Sequence, residues 1–508
     1  MPRPSGAVLF RFYEQKPGCL CPGLPCCKRK ACHRRVFCEN PVSPSRCDGG
    51  GWQIISGGRE KVPGVGNMTG MDSIISLLLS LSPVVRILAV FLLILLFNRL
   101  GLPLGVALLA GGLGIDLWAG RTVALVGADL LHALAAPELW LLLLNITLIL
   151  EFGYFMSSER NSRIILAAAR RLGGRNGRAL GLVLIPATIG LVPMPGGALF
   201  SAPLVGETLR DRELPAAWKA SVNYWFRHVL EYWWPLYPVV IVTLSIFNLS
   251  TWHFFLLQVP FTAVSIGAGW FFLLRRRLSI LRDAAAVPAP AGRDLLEVLA
   301  PILLIVLSTL LLPGAVARLV PGASPTTDKL LAMLAGLAVA LLLIARRGGS
   351  QGGHRLFSRL VTAKTAGVIF TLAGVMLFQG MLEASALLPA AGRQLGASHI
   401  PVEIIIAFLP FLAGLVTGLA IGFGGPAFPL VVGLAAADPG LGEGAALVLA
   451  FSMGYAGMML SPVHLCYVLT RKYFFASLAD TYRYLVPCVL VIMAWGIGFH
   501  VFLRLTGW

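Results

Sequence analysis

From Val84 to Leu503 the chain is a succession of long apolar blocks separated by short basic or polar stretches. A helix rises about 1.5 Å per residue and needs about 20 apolar residues to cross the hydrocarbon of a bilayer. The blocks can therefore be counted as spans. Ten are predicted: Val84 to Asn98 (with Ser73 as an alternative start), Leu102 to Trp118, Pro137 to Met156, Trp218 to Phe247, Trp252 to Leu274, Leu295 to Leu312, Leu330 to Ala345, Thr365 to Ala386, Ala445 to Leu469 and Tyr484 to Leu503. Two further apolar stretches, 179–205 and 402–436, are interrupted at their middles by Gly and Pro.

Basic loops orient the spans. Arg160, Arg163, Arg170, Arg171, Arg175 and Arg178 follow the third; Arg275, Arg276, Arg277 and Arg282 the fifth; Arg346, Arg347, Arg355, Arg359 and Lys364 the seventh; Arg471 and Lys472 the ninth. With all four loops on the cytoplasmic side, every span alternates correctly provided that both interrupted stretches enter and leave on one side. They are predicted to be re-entrant hairpins, their arms being too short for full spans. Each half then reads as three spans, a hairpin and two spans, over residues 73–274 and 295–504, in opposite orientations. Gly190, Leu191, Gly196, Gly197 and Phe200 match Gly418, Leu419, Gly424, Gly425 and Phe428 at one constant offset. The prediction is an all-α polytopic membrane protein of about ten transmembrane helices and two re-entrant hairpins, in two inverted repeats.

Paired Gly/Pro-interrupted segments in two halves point to a transporter's binding site. At Pro193, Pro195, Gly196 and Gly197, and again at Gly422, Gly424, Gly425 and Pro426, the helical ladder is expected to break, since Pro lacks a donor and Gly accepts unusual dihedrals. Bare backbone at membrane depth must face protein or a watery cavity. Arms starting near Ala198 and Ala427 would aim N–H groups at an anion, and arms ending at Val192 and Ile421 would offer carbonyls to a cation. The competing reading is that these residues only permit close helix packing.

An ionisable group in the membrane costs a few kcal/mol, so each asks for a partner or a function. The densest set is Asn223, Tyr224, Trp225, Arg227, His228 and Glu231. Arg227 or His228 would face an anionic substrate; the alternative is an interfacial belt, because Trp225, Tyr232, Trp233 and Trp234 are residues that line headgroups. In the second half, Gly454 to Gly457 and the segment through Ser461, Pro462 and His464 predict another helix break, with Tyr455, Ser461 and His464 as site candidates. Glu151 and Glu231 are the candidate coupling carboxylates, Glu151 reading equally as a helix-end group that reaches water. Asp116, Arg86 and Glu383 read as span-end residues that snorkel.

Composition agrees with the spans: 57% of the 508 residues are hydrophobic and 13% charged, about half the charged fraction of a soluble domain. The formal net charge of +18 sits in short inter-span clusters and forms no stripe for nucleic acid, so none is expected as a partner. Residues 1–67 differ. They carry eleven Lys and Arg and seven of the nine cysteines, and the topology would place them outside, against the positive-inside rule. Two readings stay open: a zinc site on Cys19, Cys21, Cys26, Cys27, Cys32, His33 and Cys38, without clean CxxC knuckles; or a disordered or non-native leader, the start lying at Met68 or Met71. No metal or other cofactor is expected in the membrane body beyond H+ or Na+ as coupling ion. Neither HExxH, GxSxG nor GxxxxGK[ST] occurs, so no catalytic residue is assigned and no enzyme is expected.

Pro193-Met194-Pro195-Gly196-Gly197-Ala198-Leu199-Phe200-Ser201-Ala202-Pro203, Asn223-Tyr224-Trp225-Phe226-Arg227-His228 and Ser461-Pro462-Val463-His464 together resemble a prokaryotic membrane family known as domain of unknown function 401. The resemblance runs from about Ser73 to the C-terminus. It implies membership of the ion transporter superfamily, with the gluconate, citrate and dicarboxylate carriers, and an elevator movement of a transport domain against a scaffold. The Ser-Asn-Thr hairpin signatures of the dicarboxylate carriers are absent, so neither a dicarboxylate nor sodium follows from it. The expected protein is a secondary active transporter of a small organic anion in a prokaryotic cell membrane, with lipid as its surroundings and a homodimer among its admissible assemblies. A passive channel or exporter on the same scaffold, or a lipid-acting membrane enzyme, are the alternatives.

Overall fold

The computed structural model describes residues 81–507 apart from 157–159, 162–163, 165–166, 169–176, 192–196, 248, 282–291, 348–362 and 399–400. The leader 1–67 and the first-hairpin residues Pro193, Pro195 and Gly196 lie outside the described residues. Among those described, every regular element is helical. The first half contains α1 (Pro83–Arg99), α2 (Leu104–Trp118), α3 (Val123–Ala135), α4 (Pro137–Met156), α5 (Gly177–Gly190), α6 (Ala198–Thr208), α7 (Ala216–Arg227), α8 (Pro238–Ile246) and α9 (Thr251–Gly269). The second contains α10 (Gly292–Leu311), α11 (Pro313–Leu319), α12 (Pro325–Arg347), α13 (Ala363–Ala384), α14 (Leu387–Ala397), α15 (Val402–Thr417), α16 (Ala420–Ala435), α17 (Glu443–Leu460), α18 (Leu465–Phe474) and α19 (Leu478–Thr506). Five helices are long and apolar enough to cross a membrane, or seven with each bent pair taken as one span. The chain is a multi-pass α-helical membrane protein.

Helices from both halves pack into two groups. In one, α2 packs on α1 and α13, α4 on α12 and α13, and α10 on α12; in the other, α5 and α6 pack on α7, α15 and α16 on α17, and α18 on α6 and α7. The second group gathers both interrupted stretches and the polar cluster.

Lipid tails are as apolar as leucine, so hydrophobicity does not drive one membrane helix onto another; small residues that admit close backbones do. The α2–α13 crossing is built this way. A Cβ on Gly105 would stand 2.5 Å from the Phe370 carbonyl oxygen, and one on Gly374 would stand 2.7 Å from Gly105 Cα. Gly105→Val should therefore force the helices apart and destabilise the fold by about 1–3 kcal/mol, the usual scale of overpacking. A lowered thermal transition of the purified variant checks this; an unchanged one would mean that the crossing repacks freely.

Four expectations change. The stretch Trp218 to Phe247, counted as a span with Pro235 and Pro238 as its candidate breakers, is not one span: α7 stops at Arg227, before either proline, and the chain turns through His228–Tyr237 before α8 starts at Pro238. Ala445 to Leu469 also breaks, but only at Ser461–His464; Gly454 to Gly457 stay inside α17, because those glycines admit α15. A Cβ on Gly414 would meet Met458 N at 2.7 Å, and one on Gly457 would meet Phe411 Cα at 3.0 Å. Asp116 does not snorkel: it is fully buried, 3.3 Å from Arg121 Nε. Arg86 instead donates to the Leu81 and Trp118 carbonyls at 2.8 and 3.0 Å. Finally, α3, α11 and α14 lie where no element was expected, each too short to show as a span.

The second hairpin breaks earlier than the Gly-Gly-Pro run. α15 ends at Gly418, whose φ of +63° is left-handed, and Leu419 is extended before α16 begins at Ala420. A left-handed glycine stops a helix outright, whereas Gly422, Gly424 and Gly425 accept ordinary helical dihedrals. They and Pro426 lie within α16. The arms therefore end at Thr417 and start at Ala420, not at Ile421 and Ala427.

Candidate functional site

Four chain breaks meet around one buried cluster. The first is the end of α5. Its Gly190 rests on the end of α7, where a Cβ would collide with the Arg227 carbonyl. Tyr237 donates its hydroxyl to Gly190 O, and Trp234 Nε1 donates to Leu191 O at 2.9 Å; Val192, where the sequence placed the end of this arm, lies outside the described residues. The second break is the start of α6 at Gly197. A Cβ there would lie 2.7 Å from Arg227 Cζ and 2.9 Å from its Nη1, so the guanidinium lies flat against the N-terminal residue of a helix.

The third break is Gly418. A side chain on it would stand 2.8 Å from His464 N and 2.9 Å from Ser461 Oγ. The turn between α17 and α18, the fourth break, thus seals the second hairpin as Arg227 seals the first. The two turns are tied together. Tyr455 hydroxyl donates to His228 O at 3.1 Å, Tyr224 hydroxyl to Met459 O at 3.2 Å, and Asn223 Nδ2 to Thr470 Oγ1 at 3.0 Å.

At the centre are charged and polar groups excluded from water. Arg227, His228, Glu231, His464 and Cys466 are all buried. Arg227 Nε donates to Cys466 Sγ at 3.5 Å, and His228 Nε2 lies 3.8 Å from Glu231 Oε1. The rings of His228 and His464 are edge-on with centroids 4.9 Å apart, and Tyr224 packs against both. Buried polar atoms nearly always have partners, yet among the described residues Ser461 Oγ and Asn223 Oδ1 have no hydrogen-bond partner. The Ser461 hydroxyl can donate or accept, and Asn223 Oδ1 can accept, a hydrogen bond from a solute.

The structure therefore brings together Gly197, Asn223, Arg227, His228, Glu231, Tyr455, Ser461 and His464. The interfacial-belt reading fails, because Trp225 and Tyr232 are wholly buried and Trp225 Nε1 donates to Ser265 O at 2.9 Å. Gly424 and Gly425 instead admit neighbours: Cβ atoms there would stand 2.7 Å from a Val239 methyl of α8 and 2.5 Å from a Val375 methyl of α13. Glu151, near the end of α4, is buried and does not reach water. Sequence reading missed Tyr237, Trp234 and Cys466. No spacing rule links Cys466 to His228; only its place two residues after His464 hinted at a role.

The base of the first hairpin is clasped at the surface, where Arg178 Nη1 donates to both Asp211 carboxylate oxygens at 2.9 and 3.0 Å. That hydrogen bonding holds the exposed Asp211 carboxyl below its usual range.

Five to seven membrane-capable helices, with helices that break around a buried polar centre, define a polytopic membrane protein with an internal polar cluster. The chain belongs to the family described as protein of unknown function (DUF401), whose pattern it matches over residues 87–502. Among solved structures it is similar to the YdaH transporter of Alcanivorax borkumensis, at 15% identity over 75% of this chain and 88% of that chain, with a TM-score of 0.48. No curated protein matches it.

Proposed function

We propose that this chain is a secondary active transporter of a small organic anion, a relative of the ion transporter superfamily with two inverted repeats. The observation that carries the reading is the Arg227 guanidinium lying against Gly197, at the start of α6. A helix N-terminus carries about half a positive charge. A buried guanidinium in contact with it adds a full charge, about tripling the positive charge at that point, and an anion bound alongside both relieves the repulsion. Arg227 supplies a planar fork suited to a carboxylate, and Ser461 supplies a hydroxyl donor; Asn223 Oδ1 can accept from a hydroxyl of the solute. Glu231, facing His228, is the coupling carboxylate in this reading: a proton shared between them changes the charge of the site by one unit. Glu151, buried in the other group of helices, is the second candidate.

The grouping of helices supports an elevator movement. α5–α7 and α15–α18 would carry the site, and α1, α2, α4, α10, α12 and α13 would be the scaffold. The contact between them runs along α16, where Gly425 faces Val375 of α13 and Gly433 faces Leu388 of α14. Counterflow in proteoliposomes tests the reading. Vesicles preloaded with unlabelled citrate, gluconate or succinate should take up the same labelled anion above its equilibrium level. Labelled anion that enters with no acceleration by internal anion would make the protein a channel; release of product from lipid in detergent, without any gradient, would make it an enzyme.

A further inference from the structure

We propose that His228, His464 and Cys466 form a three-ligand binding site for a zinc-class transition-metal ion. The inference rests on side-chain geometry and is independent of the transported solute. One ligand atom from each of the three residues lies within 4.8 Å of the other two, and all three side chains are buried. With bond lengths of about 2.0–2.1 Å to nitrogen and 2.3 Å to sulfur, a tetrahedral zinc ion holds its ligands roughly 3.3–3.6 Å apart. Closing the remaining gap takes small side-chain rotations.

The hydrogen bonds fix the imidazoles in the form a metal needs. His228 Nδ1 lies 2.6 Å from the Tyr224 carbonyl, and His464 Nδ1 lies 3.4 Å from the Met458 carbonyl. A carbonyl only accepts, so each Nδ1 carries its proton and a neutral ring keeps its lone pair on Nε2. Metal-bound histidines are anchored in this way. His228 Nε2 then faces Glu231 Oε1 at 3.8 Å. That separation is longer than a hydrogen bond, so Glu231 does not tie up the Nε2 lone pair.

The donor set selects the ion. Two imidazoles and a thiolate are poor ligands for magnesium or calcium and good ones for zinc or cobalt. The thiolate and the nearby Glu231 carboxylate offset the charge of a divalent ion, and Arg227 Nε donates to the sulfur from outside at 3.5 Å. Binding would displace the Cys466 thiol proton to solvent as the metal–sulfur bond forms. Because His228 follows α7 and His464 and Cys466 flank the start of α18, one ion would join the turns contributed by the two halves of the chain.

The test uses the full chain with the seven leader cysteines replaced by serine and His33 by alanine, loaded with Co2+. One equivalent should give a thiolate-to-cobalt charge-transfer band, which Zn2+ then abolishes by displacement. Cys466→Ser should lose the band, and His228→Gln and His464→Gln should weaken binding at least tenfold. The exposed His253→Ala should bind as the parent does. Size-exclusion profiles and metal-free melting curves show which variants fold. A folded parent with no thiolate band overturns the proposal by itself, whatever the variants do. So does a band that survives Cys466→Ser.

Discussion

An Arg227→Lys variant is expected to lose most of its affinity for organic anions while keeping its fold. Purified wild-type protein, screened against citrate, gluconate and short carboxylates, should melt higher with any anion that binds; at about 100 times Kd the gain is about 2.7 kcal/mol. Lysine keeps the charge but loses the planar fork that can grip a carboxylate by two parallel bonds. A hydrogen bond to a charged group contributes about 1.5–3 kcal/mol, so affinity should fall by roughly one to two orders of magnitude. The shift at fixed anion should shrink accordingly, with the ligand-free transition little changed because the lysine stem fills much of the same buried path. Equal shifts in the two proteins would place Arg227 outside the anion site.

Gly418→Val should have the largest effect on the fold. At φ +63° a branched side chain is strained in any surroundings, and here it would also meet His464 N at 2.8 Å and Ser461 Oγ at 2.9 Å. Strain of about 1–3 kcal/mol adds to an overpacking cost of similar size. The melting transition should drop sharply, and the surviving folded protein should bind anion poorly, since the α17–α18 turn must move. Gly367→Ala is the control: no neighbouring atom lies within 4 Å of its added carbon, and replacing a helical glycine by alanine gains about 0.5–1 kcal/mol. If both variants melt alike, the left-handed turn is not what fixes the second hairpin.

How far these features could be read from the residues depended on the range of the signal. Hydropathy is local and strong, so helices such as Pro137–Met156 and Leu478–Thr506 fell close to where apolar blocks placed them. Short pieces such as Val123–Ala135 did not, because 13 residues are too few to register as a span. Gly and Pro mark where a helix can break but do not rank the choices. Gly418 breaks the chain while Gly424-Gly425-Pro426 do not, since the left-handed turn is set by its packing on Ser461 and His464. Arg227 and His228 drew attention as charges in apolar surroundings. Cys466 did not, for a thiol there costs little, and its meaning comes only from a contact with Arg227 across 239 residues.

That separation also has a meaning in time. Ribosomes add about 5–20 residues per second, so α7 leaves the tunnel roughly 10–50 s before Cys466 does. During that interval Arg227 is already part of the growing membrane domain, at a cost of about 2.5–3.5 kcal/mol if it sits at the bilayer centre, while the thiol and the His464 turn do not yet exist. The polar centre consequently cannot close until α18 is made, with α19 alone still to follow. Until then the first half holds Arg227 without the thiol it will donate to.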